Sequence, residues 1–116
     1  MQSKIKSVIQ ASIDVKAKIL DDATMHHRIE EAALQVVKSF QNGCRIYFAG
    51  NGGSAADAQH LAAEFTGRFY KDREPLPAEA LHVNTSYMTA VANDYSYDVV
   101  YSRMINGIGR NGDVLI

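Results

Sequence analysis

Four side chains, Asp57, His60, Glu64 and Arg68, recur at three- and four-residue steps just after a glycine-rich run, Gly50-Asn51-Gly52-Gly53-Ser54. On a helix, at about 100° per residue, all four fall within roughly an 80° arc. An imidazole and a carboxylate four residues apart, His60 and Glu64, are spaced to share a metal ion or to set a base beside a substrate. The bland alternative is a surface helix with a His–Glu contact and a Glu64–Arg68 ion pair worth roughly a few tenths of a kcal/mol. Two ligands alone do not make a metal site.

The glycine run has chemistry of its own. Glycines permit positive φ and close backbone approach, and the free N–H groups of a helix start favour an anion. Ser54 is placed to cap that helix or to donate to a phosphate oxygen. No Gly-Lys-Ser/Thr follows and the spacing is not G-x-G-x-x-G, so the loop is neither a Walker loop nor a dinucleotide fingerprint. Asn93-Asp94 closes a later helix on the sheet edge where α/β folds place ligands, although Asn-Asp is also ordinary turn chemistry. His26 and His27 read as solvated, His82 as a satisfied strand residue, and Cys44 as a small buried hydrophobe at a strand start. Tyr95, Tyr97 and Tyr101 are aromatic surfaces on which a ligand could stack, but packing at a helix or subunit surface is the favoured reading.

These residues need elements to hold them. Ile5, Val8, Ile9, Ile13, Ala17 and Leu20 form one helical stripe. Asp21, Asp22 and Thr24 break it, and Ile29, Ala32, Ala33, Val36, Val37 and Phe40 form a second, stopped by Asn42-Gly43. Residues 44–49 predict a buried strand, 55–69 a helix with Ala58, Leu61, Ala62, Phe65 and Phe69 against the sheet, and 70–77 a charged, proline-marked connection. A strand over 80–83, helices near 86–92 and 99–108, and a strand over 114–116 complete the series. Strands alternating with helices imply a parallel sheet with right-handed crossovers. The reading divides one domain into a helical oligomerisation region, 1–42, and the first βαβαβ part of a sheet, 43–116. More apolar stripe than three strands can cover, and a last strand with no covering helix, point to an incomplete domain or one that buries surface in an oligomer.

Composition removes several classes. With 12 Lys plus Arg against 13 Asp plus Glu, the formal charge of −1 gives no broad field for nucleic acid or an acidic membrane surface. No apolar run approaches the roughly 18 to 20 residues that span a bilayer, and the N-terminus lacks a signal-peptide core. One cysteine excludes an internal disulfide framework and suits a reducing, cytoplasmic compartment.

The stretch from Ala49 to Arg68 (AGNGGSAADAQHLAAEFTGR) closely resembles the sedoheptulose 7-phosphate isomerases, or phosphoheptose isomerases, of the sugar isomerase (SIS) domain superfamily. The likeness continues through Ala92-Asn93-Asp94, Tyr101-Ser102-Arg103, residues 109–116 and the two N-terminal helices. It implies an α/β fold: a parallel-sheet SIS domain, flavodoxin-like and Rossmann-type, preceded by two helices. By resemblance, Asn51, Gly52, Gly53, Ser54, Glu64, Asn93 and Asp94 bind the sugar-phosphate substrate. His60 and Glu64 match two zinc ligands, and Glu64 also matches the catalytic base. The implied reaction converts sedoheptulose 7-phosphate to D-glycero-D-manno-heptose 7-phosphate, the first step toward the heptose of bacterial lipopolysaccharide. One zinc ion per subunit and a homotetramer with shared sites are implied too. Family members carry a Ser/Thr-rich phosphate loop, two further strands and a C-terminal helix with an active-site Gln and His. The sequence is therefore expected to match their first three fifths.

A different class competes: a related non-catalytic SIS protein, a tetrameric adaptor that binds the replication initiator and shares a similar N-terminal opening, Met1-Gln2-Ser3-Lys4-Ile5-Lys6. That adaptor lacks a base where this chain has Glu64, and the retained Glu64 favours the isomerase. A regulatory SIS domain that binds a sugar phosphate without turnover is the third reading, and the intact His60–Glu64 pair counts against it.

Overall fold

A computed structural model describes residues 1–116. The chain forms two compact units, Met1–Gln35 and Val36–Ile116. The first contains helix α1 (Gln2–Leu20) and most of α2 (Ala23–Gln41). The expected break lies between them, and of the three residues expected to make it, Asp22 does the capping: its Oδ1 accepts the Met25 N–H at 3.0 Å. The apolar stripe of α1 is present but uncovered. Ile5, Val8, Ile9 and Ile13 are each more than half exposed, and no residue of α1 is buried.

The second unit begins with the last turns of α2, which end as the sequence reading expects. Asn42 and Gly43 return their N–H groups to the carbonyls of Lys38, Ser39 and Phe40, with Gly43 at φ +70°. The strands β1 (Ile46–Phe48), β2 (Ala78–Ala80) and β3 (Val114–Leu115) form a parallel sheet in the order β2-β1-β3. Ile46 stands opposite Ala78 on one side and Val114 on the other. β1 is shorter than the predicted 44–49, and Cys44 therefore precedes the strand and is only half-buried.

β2 lies two residues before its predicted position. The Pro77 carbonyl accepts the Ile46 N–H at 3.0 Å, so pairing starts as the chain leaves the proline. Ala-Glu-Ala has little strand propensity of its own and is strand through its partner. Leu81, fully buried, anchors the turn that follows. At β1–β3, the Asp113 carboxylate accepts the N–H of Arg45 at 2.8 Å and of Arg110 at 2.7 Å, pinning the register.

Alternation along β1 sends Ile46 and Phe48 to one face and Tyr47 to the other. Ile46 and Phe48 form the core with Ala58, Ala62 and Ala80, and Val36, Phe40 and Phe65 pack around them. The Phe65 ring lies 5.5 Å from Phe40 and 5.9 Å from Phe48, centroid to centroid. The small Ala58 and Ala62 let helix α3 (Gly53–Thr66) lie close on the sheet. On the way to β3 come α4 (Thr85–Asp94), a single 3-10 turn (Tyr97–Val99) and α5 (Val100–Ile108). Asn84 caps α4 by accepting the Tyr87 N–H at 2.9 Å.

α3 starts two residues earlier than predicted and ends three residues earlier. Gly67 follows Thr66, and the Arg73 guanidinium donates to the Glu64 and Phe65 carbonyls, both at 2.9 Å. Two expectations fall as a result. Arg68 lies beyond the helix, outside the polar arc, and the Glu64–Arg68 ion pair does not form. Phe69 does not pack on the sheet: it is 56% exposed and lies against Tyr70, ring centroids 4.3 Å apart. Leu61, at 45% exposed, is likewise turned from the core.

Candidate active site

The glycine loop runs from the end of β1 into α3, and two of its glycines are demanded by geometry. A Cβ on Gly50 would lie 2.6 Å from the backbone carbon and oxygen of Ser54, far inside contact distance. Gly52, the residue before the helix, takes φ +57° and ψ −121°, a conformation closed to side-chain-bearing residues. Ser54 does not cap α3, contrary to one of its two expected roles: it lies inside the first turn, and no side chain caps the helix. The Gly53 N–H is among the first-turn donors that have no carbonyl within the helix. The arrangement suits an oxygen anion.

Two tyrosines hold this loop, which sequence reasoning missed. The Tyr97 hydroxyl lies 2.6 Å from Asn51 Oδ1, and the Tyr101 hydroxyl lies 2.6 Å from the Gly50 carbonyl and 3.1 Å from Asn51 Oδ1. Burial and the adjacent Tyr97 phenol push the Tyr101 pKa above its usual value, so its hydroxyl stays protonated at neutral pH. The available signal was their i, i+4 spacing, which puts both rings on one side of a helical segment. Tyr95 is separate from them. Its ring lies 4.3 Å beneath the Arg103 guanidinium, which also donates to its hydroxyl at 3.2 Å.

His60 and Glu64 come together as predicted, with Nε2 and Oε1 3.3 Å apart. His60 is 75% exposed and Glu64 28%, so the carboxylate is the more sheltered of the two. They border an apolar groove completed by Leu61, Phe65, Phe69, Arg73 and Leu76. No third His, Cys, Asp or Glu of this chain joins them to complete a metal-binding group. The chain thus supplies two donors where tetrahedral zinc takes four ligands, at least three of them usually from protein.

The structure does not bring Glu64 to the glycine loop. Glu64 lies in the last turn of α3, eleven residues beyond Gly53, about 16 Å along the axis at about 1.5 Å per residue. Asn93 and Asp94 are the final residues of α4, with Asn93 Nδ2 donating to Asp94 Oδ1 at 3.0 Å. They lead into the turn whose Tyr97 reaches Asn51. His82 departs from its expected role: it sits in the turn after β2, and its buried Nδ1 has no partner. His26 and His27 are exposed, with His27 Nε2 3.5 Å from Glu31 Oε1. Cys44 Sγ packs where a Cβ on Gly112 would lie 2.7 Å away.

Comparison with known proteins follows the same outline. The chain is 50% identical over all 116 residues to a phosphoheptose isomerase of Aneurinibacillus thermoaerophilus, and 45% identical over 116 residues to one of Clostridium acetobutylicum. It spans 59% of the length of each. Among solved structures, it superposes on the phosphoheptose isomerase of Neisseria gonorrhoeae with a TM-score of 0.88 at 38% identity, covering 98% of this chain and 58% of that one. For the Francisella tularensis phosphoheptose isomerase, the TM-score is 0.90 at 31% identity, with 98% and 59% covered. The family model for the SIS domain matches residues 11–116, and the chain belongs to that family.

Proposed function

We propose that this chain carries the N-terminal part of the active site of a phosphoheptose isomerase, interconverting sedoheptulose 7-phosphate and D-glycero-D-manno-heptose 7-phosphate. The observation that carries the reading is Glu64. It is a sheltered carboxylate beside His60 on a rigid helix, with its own backbone carbonyl held by Arg73. The identity to named isomerases along the whole chain supports it.

In this scheme the Glu64 carboxylate takes a proton from C1 of the ketose and delivers one to C2, while a proton passes from O1 to O2. The intermediate is an enediol, and the net change is an isomerisation with nothing oxidised overall. Asn51, Gly52, Gly53 and Ser54 bind the sugar phosphate, and Asn93 and Asp94 contact it. A zinc ion held by His60 and Glu64 would polarise the oxygens on which charge develops. It would need donors besides these two, and the transfer between C1 and C2 is assigned to the Glu64 carboxylate itself.

The axial separation of Glu64 from the glycine loop fits a site assembled between copies of the chain, with the loop of one subunit and the carboxylate of another. We assign the uncovered apolar stripe of α1 to the same homotetramer. No helix is long and apolar enough to cross a membrane. We place the enzyme in the cytoplasm, on the route to lipopolysaccharide heptose.

The test is turnover of sedoheptulose 7-phosphate by the full-length protein, its intact mass verified, beside a Glu64→Gln variant. The expected result is turnover that the substitution lowers by about 10² to 10⁴. Absence of turnover with zinc supplied would overturn the reading in favour of a non-catalytic SIS adaptor.

A further inference from the structure

We infer that Tyr97 and Tyr101 are positioning residues that lock the Asn51 carboxamide with its Nδ2 hydrogens, not its oxygen, toward the oxygens of the bound ligand. The inference rests on the sugar-phosphate reading of the loop given above.

Bond lengths and hydrogen counting carry it. A separation of 2.6 Å between Tyr97 and the amide falls in the range of O–H···O bonds and below that of N–H···O bonds. The amide atom facing the phenols is therefore oxygen. Each phenol has one hydrogen. Tyr101 spends its hydrogen on the Gly50 carbonyl at 2.6 Å, and Tyr97 gives its own to Asn51 Oδ1. The Tyr101 oxygen also lies 3.1 Å from Oδ1, which makes Asn51 the longer, weaker arm of a three-centre bond from that same hydrogen. Both hydrogens of Nδ2 are left for the opposite side.

The clamp has a firm base. Val100, between the two tyrosines, is fully buried, and its carbonyl accepts the Tyr87 hydroxyl at 2.9 Å. An unheld asparagine amide samples both orientations about its broad, roughly two-fold terminal torsion. Held this way, Asn51 adds two side-chain donors to the loop in which the Gly53 N–H has no carbonyl partner within the helix. Donors of this kind suit phosphate and hydroxyl oxygens.

The experiment is a double-mutant cycle in the full-length protein, reading the Kd for sedoheptulose 7-phosphate by calorimetry and KM and kcat by turnover. The double substitution Tyr97→Phe/Tyr101→Phe is expected to weaken binding about five- to tenfold, and to raise KM more than it lowers kcat. In an Asn51→Ala background the same pair of substitutions should add less than about twofold. An equal loss in both backgrounds would mean that the phenols merely stabilise the loop and would overturn the inference, as would no loss at all. Asn51→Asp, which still accepts from the phenols but presents no donor, should bind more weakly than Asn51→Ala.

If the unaltered protein neither binds nor converts the sugar phosphate, the functional reading fails by itself. The orientation is then decided without ligand, from the Asn51 side-chain amide pair in nitrogen-15 spectra, assigned by its loss in Asn51→Asp. A pair displaced and broadened by Tyr97→Phe upholds the inference. A pair that does not move overturns it.

Discussion

The two ends of α3 are held by opposite means. At the first turn, Tyr97 and Tyr101 grip the glycine loop from another part of the chain and leave its donors exposed. At the last turn, Arg73, only nine residues beyond Glu64, reaches back and covers carbonyls. One end is arranged to attract an anion. The other carries an acidic side chain at the negative pole of a helix, an unfavourable placement that the Arg73 charge offsets. In the proposed function, binding and proton transfer would fall at opposite ends of one rigid rod, each steadied by residues that do not touch the other end.

Glu64→Gln sharpens that division most. It should leave the Kd for sedoheptulose 7-phosphate within about threefold while turnover falls by the orders of magnitude given above. Equal losses in both would break the comparison. Next comes Gly50→Ala, which drives a Cβ into the Ser54 backbone. We expect a stability loss of about 1–3 kcal/mol in denaturant titration, accompanied by loss of sugar-phosphate binding. Arg73→Ala should act only at the far end, leaving the Glu64 carbonyl without its donor while the Phe65 carbonyl keeps the Leu76 N–H, and costing about 1–2 kcal/mol. Turnover should fall and binding should hold, and Arg73→Lys should restore only part because an ammonium lacks the planar fork.

The smallest effect is in pH. Because the Tyr101 pKa is raised in the fold, the stability it contributes is present below the unfolded value of 10.0 and fades as pH climbs through the folded one. The difference in melting temperature between the native chain and Tyr101→Phe should therefore shrink above about pH 10. Widening instead would contradict the clamp geometry.

Local features were legible in the sequence, and distant contacts were not. Periodicity located both N-terminal helices, the βα turn and the His60–Glu64 pair, since each depends on residues within one or two helical turns. α3 was overextended because apolar spacing continues through Phe65 and Phe69, whereas Gly67 was the stop signal actually present. β2 was misplaced because Ala-Glu-Ala is a strand only in the company of β1. Arg73 lay in a stretch that reads as charged connection. Nothing in its neighbours announces that it reaches back to carbonyls eight and nine residues earlier. The tyrosine clamp joins residues 46 to 51 positions apart, and no local pattern encodes that.

The order β2-β1-β3 also sets a timetable. The central strand is made first, yet its neighbours arrive 32 and 68 residues later. On a ribosome adding about 5–20 residues per second, Ile46 to Phe48 wait seconds for the second partner. During that interval the most buried strand of the sheet has unpaired backbone on at least one side, the state in which strands recruit wrong partners. α3, formed from local contacts in microseconds, is the first cover available. Its alanine face against Ile46 and Phe48 then serves as a guard for the nascent chain before it serves as the scaffold of a site.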